Sequence, residues 1–224
     1  LRSGDRTMTL ADLMFEISTM FGFTGDESGQ RKLLEAVLSL DPDRAMAMNN
    51  LGYSLLTSER SGQQSWRLIE RAYEAFPDDP SVIDSLAWLR YRQGRIADDL
   101  AGAGAYTLII DAIARMDEPN EEVLDHFGDI AYAAGAGLEA RSAWTEARRL
   151  LSVEDHRSTL ESNYRTLQLR TWGVLVVDPA TVYDRLFGDL MDRLDRKLRA
   201  LEAGEKPELA PMFDSVAEAI DTTP

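Results

Sequence analysis

The sequence predicts an all-α protein, an α-solenoid of antiparallel helix hairpins with a helical extension at its C-terminal end. Three similar stretches carry this prediction: Leu51-Gly52-Tyr53, Leu86-Ala87-Trp88 and Phe127-Gly128-Asp129. Each stretch places a large apolar residue before a Gly or Ala inside a run with helical periodicity. A second helical run follows about twenty residues later each time, and such a period is typical of stacked helix pairs. Strand-forming residues are sparse, and the only β-like run is Val174–Val177.

The first hairpin is predicted, in degenerate form, over residues 9–42. Its second helix ends before Asp41-Pro42, because a proline cannot continue a helix. Both helices have apolar residues spaced so that they share one helix face. These residues are Leu10, Leu13, Met14, Ile17 and Phe21 in the first helix, and Leu34 and Val37 in the second.

The clearest hairpin is predicted over residues 45–78. Apolar side chains three and four residues apart give each of its helices one buried stripe. Gly52 and Ala72 are small, as is required where two helices approach closely, and Pro77 stops the second helix. The stripe consists of Met48, Leu51, Leu55, Leu56, Ile69 and Phe76.

Further hairpins are predicted over residues 80–117 and 121–153, so the repeats occupy residues 1–153. The hairpin at 80–117 carries an insertion between Gly94 and Ala105. We expect this insertion to lengthen or break the corner of the hairpin. Its Gly-rich part resembles half of a dinucleotide-binding loop, but it follows no strand and lacks the third glycine, so we interpret it as a corner.

Residues 154–224 lose the repeat and are predicted to form a helical extension. Asp178-Pro179 favours a helix start, and Gly204 favours its end. Two interpretations stay open for the long amphipathic helix at 180–203. It caps the exposed face of the last hairpin, as solenoids require, or it pairs two copies into a homodimer. The dimer seam would use Phe187, Leu190, Leu194 and Leu201, and a last short helix is predicted over Met212–Ile220.

The composition excludes several classes of function. The net charge is −15, with 24 basic and 39 acidic residues, so nucleic acid is not an expected partner. No apolar run approaches the roughly 18 residues of a membrane span, and no transmembrane segment is expected. Residues 1–8 lack the apolar core of a signal peptide. The chain opens on Leu, which suggests that further repeats precede it.

The repeats resemble the tetratricopeptide repeat, whose pattern runs from a large residue through Leu-Gly and a turn Gly to Ala and a final Pro. The resemblance covers residues 9–153. The sequence around Leu51, Leu86 and Phe127 is similar to that of a group of bacterial repeat proteins often found in Gram-negative envelopes. The resemblance implies a right-handed superhelix, a concave groove lined by the first helix of each hairpin, and a non-catalytic scaffold for protein interactions. It slightly favours the bacterial envelope or periplasm over the cytoplasm.

The resemblance also implies which residues face the groove. The set is rich in aromatic and acidic side chains, and Tyr and Trp dominate binding hot spots. It implies a protein or peptide partner, with a neutral or basic segment favoured. An alternative is that the aromatic rings fill the space between helices. The implied partner-binding residues are Asn49, Tyr53, Asp84, Trp88, Tyr91, Arg92, Asp125, Asp129 and Tyr132.

The sequence offers little support for catalysis, a cofactor or a metal. His126 and His156 have no second His or Cys at metal-ligand spacing, so no metal site is predicted. His126 is predicted to pack within its hairpin. Two alternatives to peptide binding remain. The chain is a structural or assembly module of a longer protein or homodimer, or it is an enzyme with a composite site at His126, Asp125 and Asp129.

Overall fold

The computed structural model of this protein describes residues 8–58 and 62–213. Within these ranges the chain forms ten α-helices and no β-strand, so the prediction of an all-α fold is confirmed. The helices are α1 (Leu10–Phe23), α2 (Glu27–Leu40), α3 (Ala45–Thr57), α4 (Gln63–Ala75), α5 (Pro80–Arg92), α6 (Ala105–Arg115), α7 (Glu121–Ala133), α8 (Gly137–Leu150), α9 (Glu154–Trp172) and α10 (Pro179–Glu202).

The first eight helices pack as four successive hairpins. Each odd-numbered helix lies against the even-numbered helix that follows it, and each hairpin contacts the next through α2 and α3, α4 and α5, or α6 and α7. No hairpin buries both of its faces by itself, so stability depends on this stacking. The predicted solenoid of antiparallel hairpins is therefore confirmed.

Local signals in the sequence set the helix starts. Thr9 caps α1 through a reciprocal pair of hydrogen bonds with Asp12. Asp79 accepts from the backbone N–H groups of Ser81 and Val82, and a proline occupies the first position of α5. Asn120 accepts from the N–H of Val123 at the start of α7. These side chains satisfy N–H groups that have no partner within the helix.

Glycines mark the closest approach of the two helices in a hairpin. A methyl group added to Gly128 would lie 2.1 Å from Nε1 of Trp144, which is fully buried on α8. A methyl group added to Gly52 would lie 2.8 Å from Cγ1 of Ile69 on α4. The small residue of the repeat is therefore a contact point within the α3–α4 and α7–α8 hairpins.

The insertion before α6 is a turn with hydrogen bonds of its own. Asp99 and Gly102 exchange backbone hydrogen bonds, both 3.1 Å long. The carboxylate of Asp98 accepts from the N–H of Gly104 at 2.9 Å. The N–H of Ala105 then donates to the carbonyl of Arg95, so α6 begins directly beside the end of the turn.

The extension returns from the last hairpin to the first. On α9, Tyr164 packs its ring 4.7 Å from that of Phe23 on α1. On α10, Arg185 donates a hydrogen bond to the carbonyl of Thr24, just after α1. The helices α9 and α10 also pack on each other, and α10 packs on α8. The extension thus connects the two ends of the hairpin array.

The apolar face of α10 is used within the chain. Leu190 and Leu194 are buried in one cluster with Trp144, and Phe187 and Leu201 pack against the same cluster. These are the residues that the dimer interpretation would need at its seam. Their packing gives α10 the position that a cap on the last hairpin would have.

The β-like run Val174–Val177 forms the loop between α9 and α10. The side chain of Gln168 holds this loop: its carbonyl oxygen accepts from the N–H groups of Val176 and Val177, and its amide donates to the carbonyl of Val177. Local polar contacts therefore replace the strand pairing that this run would otherwise require.

The chain is non-helical from 205 to 213, after α10. Pro207 and Pro211 lack a backbone N–H and restrict the residue before each of them to extended conformations. The predicted helix over Met212–Ile220 is wrong for its first two residues, and residues 214–220 lie outside the described part of the chain.

Candidate functional site

The predicted groove residues all lie on the inner helices α3, α5 and α7. A cavity of about 1020 Å³ opens on this side of the hairpins. Its lining includes Tyr53, Trp88, Arg92, Asp125 and Asp129, whereas Asn49, Asp84, Tyr91 and Tyr132 lie outside the lining.

The remaining walls come from parts of the chain that the sequence did not assign to the groove. Residues of the first hairpin, such as Phe23, form one wall. Residues of α10, including Arg193 and Lys197, form another, together with the segment Glu208–Pro211. The two prolines at 207 and 211 were the signal that this segment is extended, but nothing in the repeat indicates where it lies.

Trp88 is at the centre of the inner surface. Its ring stacks on Tyr91 at 4.8 Å and on His126 at 4.1 Å, with interplanar angles of 12° and 17°. The side chain is only 6% exposed. Trp88 therefore packs between helices and also contributes to the cavity wall.

His126 lies in a buried hydrogen-bond network. Its Nδ1 is 3.1 Å from Oδ1 of Asp84, and its Nε2 is 3.1 Å from the hydroxyl of Tyr53. The Tyr53 hydroxyl donates to Oε1 of Glu122 at 2.7 Å, so its oxygen accepts from Nε2. A carboxylate only accepts hydrogen bonds, so Nδ1 must donate to Asp84. All three hydrogen bonds form together when both ring nitrogens carry a proton, so the geometry favours the imidazolium form of His126.

The charges around His126 support this state. Burial lowers the pKa of His126, but the carboxylates of Asp84, Glu122 and Asp125 more than offset that effect and raise the pKa above its ordinary value of 6.5. A charge on His126 is compatible with the predicted packing role, because Asp84 pairs with it inside the hairpin array.

The raised pKa makes stability depend on pH. His126 contributes stability that is fully present below its unfolded pKa of 6.5 and is lost as the pH rises through the folded pKa. We expect the free energy of unfolding of wild type, relative to His126→Gln, to decrease as the pH is raised above 6.5. Urea denaturation at a series of pH values measures this difference, and parallel curves for the two proteins would contradict the charged state.

A second buried network joins α10 to α7. The Lys197 ammonium donates to Oδ1 of Asp125 at 2.7 Å and to Oδ1 of Asp129 at 2.5 Å. Lys197 is 3% exposed and Asp129 is fully buried. Burial raises the pKa of Asp129 above its ordinary value, and Lys197 offsets only part of that rise.

The segment after α10 lies along the inner helices and is held by predicted groove residues. The N–H of Ala210 donates to Oδ2 of Asp129 at 2.9 Å, and the Tyr91 hydroxyl donates to the carbonyl of Ala210 at 2.6 Å. The N–H of Phe213 donates to the carbonyl of Arg92 at 2.7 Å. These bonds fix an extended backbone against α5 and α7.

Two donors in the cavity wall are buried without an acceptor. Neither Nε1 of Trp88 nor Nε of Arg92 has a hydrogen-bond partner among the residues that the structure describes. A buried N–H without an acceptor costs about 1–3 kcal/mol. Protein atoms enclose both nitrogens, so a ligand in the cavity would reach them only after side chains moved.

The three residues of the composite enzyme site considered above form hydrogen bonds with other partners and not with one another. Asp125 and Asp129 bind Lys197, whereas His126 binds Asp84 and Tyr53. Over 8–58 and 62–213, no group of three or more His, Cys, Asp or Glu side chains is arranged to hold a metal ion. In the same ranges, none of the helices combines the length and hydrophobicity needed to cross a bilayer.

A known sequence relative shares the repeat pattern. No protein-family model matches the chain. A segment of 118 residues, 53% of the chain, is 34% identical to a TPR repeat-containing protein of Pseudomonas aeruginosa, and it spans 19% of that relative's length. The solved structure of PilF from the same organism aligns over 87% of this chain and 93% of its own, with a TM-score of 0.48 and 15% identity. Sequence identity over half of the chain thus confirms the resemblance to bacterial tetratricopeptide-repeat proteins.

Proposed function

We propose that this chain is a protein-interaction scaffold that binds an extended peptide segment of a partner in its concave cavity. The observation that carries the proposal is the cavity of about 1020 Å³ on the inner side of the hairpins, whose wall includes Tyr53, Trp88 and Arg92. Aromatic and Arg side chains are the residue types that dominate binding hot spots. The TPR repeat-containing relative supports a scaffold in general terms.

The charged side chains of the cavity wall are mixed in sign. Asp125 and Asp129 share the single charge of Lys197, and Asp84 is paired with His126. Among the described residues, four Lys and Arg side chains and six Asp and Glu side chains line the cavity, so its wall has no excess of positive charge. We therefore keep a neutral or basic segment as the favoured ligand.

Two tryptophans provide a matched test of this site. Trp88 and Trp144 are both buried, and the indole N–H of each lacks an acceptor in the described part of the chain. Only Trp88 lines the cavity. An array of short synthetic peptides identifies binders, whose affinities are then measured by fluorescence anisotropy. We expect Trp88→Phe to weaken these binders about tenfold, because the smaller ring loses apolar contact with the ligand worth roughly 1.4 kcal/mol.

The control variant is Trp144→Phe, which makes the same substitution outside the cavity lining. We expect it to leave peptide affinity unchanged. Circular dichroism and thermal melting confirm that both variants keep the fold. Equal losses of affinity in the two variants, or no loss in Trp88→Phe, would show that the cavity wall is not the binding surface.

The bacterial envelope location that the resemblance implies is part of this proposal. The role as a structural module of a longer protein stays a prediction. The apolar face of α10 is packed on α8, so no observation favours a homodimer through residues 180–203.

A further inference from the structure

We infer that the inner surface contains a second peptide subsite, formed by Trp66, Tyr91, Arg92 and Asp129, whose resident occupant is the chain's own segment 210–213. The subsite takes an extended segment with a small residue, then a proline, and an aromatic residue three positions after the small one. A partner segment of this chemistry competes with the resident one. The inference deepens the proposed function and relies on it for the presence of a partner.

The hydrogen bonds to segment 210–213 resemble those that a receptor forms with a bound peptide. Asp129 accepts from the Ala210 N–H and Tyr91 donates to the Ala210 carbonyl, so two side chains satisfy both backbone groups of one residue. The Arg92 carbonyl accepts from the Phe213 N–H at 2.7 Å. Because these hydrogen bonds involve only backbone groups of the segment, any extended chain can form them.

Side-chain contacts supply the selectivity. The Phe213 ring lies 5.9 Å from the ring of Trp66, and the Arg92 guanidinium lies 4.7 Å from the Phe213 centroid. Ala210 packs against the cluster that contains Trp88 and Tyr91, next to its hydrogen-bond partners. Pro211 holds Ala210 in an extended conformation and so reduces the entropy lost on binding.

The resident segment can leave without unfolding the extension. Of residues 205–213 only Pro207 is buried, and the others are half-buried or exposed. The segment is joined to α10 through Gly204, whose φ is +72°. Lys197, Leu190 and Leu194 anchor α10 independently of the segment. Release would break the contacts of Leu209, Ala210 and Phe213 with the core clusters but would leave the contacts that anchor α10 in place.

Binding in trans tests the inference. The probe is a fluorescent synthetic peptide of residues 205–213, and the receptor is the full-length chain. Ala210→Pro in the receptor removes the N–H that Asp129 accepts and weakens the resident segment without changing the subsite. We expect the peptide to bind this variant at least tenfold more tightly than wild type. A peptide that itself carries Ala210→Pro should bind neither receptor.

The outcomes are distinct. Equal anisotropy of the peptide with wild type and Ala210→Pro, at every concentration, would overturn the inference. If Ala210→Pro does not fold, Phe213→Ala weakens the resident segment in its place and gives the same comparison. If wild type instead forms a reversible dimer that the peptide dissociates into monomers, segment 210–213 binds the subsite of a second copy. That result would overturn the inference that the segment binds its own chain.

The two proposals fail separately. Trp66 contacts Phe213 and does not line the cavity, so Trp66→Leu should weaken binding of the 205–213 peptide to the Ala210→Pro chain and leave the binding of cavity peptides unchanged. Peptides selected for the cavity should lose affinity with Trp88→Phe alone. Loss of only one of these behaviours identifies which proposal is wrong.

Discussion

Replacing Lys197 with Met should lower the free energy of unfolding by about 3–5 kcal/mol, the largest effect that we expect of a single substitution in this chain. The Lys197 ammonium is the closest cation to both Asp125 and Asp129, at 2.7 and 2.5 Å. Without it, two buried carboxylates on α7 lose the charge that compensates them. Urea denaturation followed by circular dichroism measures the loss.

The dependence on pH provides an internal check. The pKa of Asp129 is raised by burial even with Lys197 present, and removing the ammonium raises it further. A carboxyl group with a raised folded pKa takes up its proton more readily in the folded than in the unfolded state, so the folded state gains relative stability as the pH falls. We expect the deficit of Lys197→Met to shrink as the pH falls through the raised folded pKa of Asp129 towards the unfolded value of 3.8.

The control variant combines Lys197→Met with Asp125→Asn and Asp129→Asn. It removes the buried charges together with their partner, and replacing a whole buried ion cluster is often neutral. We expect it to recover most of the stability that Lys197→Met loses. If Lys197→Met is as stable as wild type, or if the triple variant is no more stable than Lys197→Met, this network does not hold α10 in place.

Replacing Gly128 with Ala should cost about 2 kcal/mol, because a methyl group there would overlap the buried ring of Trp144. Alanine is normally the better helix residue, so the sign of the change shows whether packing or helix propensity wins. Gly188 in α10 is the matched control: a methyl group added there meets no atom of the described chain within 4 Å.

We expect Gly188→Ala to stabilise the protein by about 0.5–1 kcal/mol, as helix propensity alone would predict. Thermal and urea unfolding of both variants measure the contrast. Stabilisation by Gly128→Ala would mean that α7 and α8 do not approach each other closely at this point.

The helices and their pairing could be read from the sequence because both depend on local signals. Helical spacing of apolar residues, N-capping at Asp79 and the prolines that end helices act within one or two turns. Gly128 and Gly52 could be assigned to helix contacts because only a residue without a side chain fits there. The failed helix at Met212 shows the limit of apolar periodicity, since Pro211 directly before it favours an extended chain.

The site was predictable only in part. Tyr53, Trp88 and Arg92 line the cavity, and the resemblance to the repeat is enough to predict that they face the groove. The partners of Asp125 and Asp129 were not predictable, because Lys197 is 68 residues from Asp129 and belongs to no repeat. The hydrogen bond between Tyr91 and Ala210 was equally unpredictable, because 119 positions of the sequence separate the two residues. Contacts of this range depend on how the extension folds back, which periodicity does not encode.

The contact between Phe23 and Tyr164 has a consequence for how the molecule comes apart. In a linear array each hairpin touches only its neighbours, so the outermost units can fray one at a time. Here the first hairpin is also held by α9 and α10, and its detachment must break contacts with the opposite end of the array. The chain is thus a closed ring of packed units, and its melting should approach a single cooperative transition instead of a stepwise peeling.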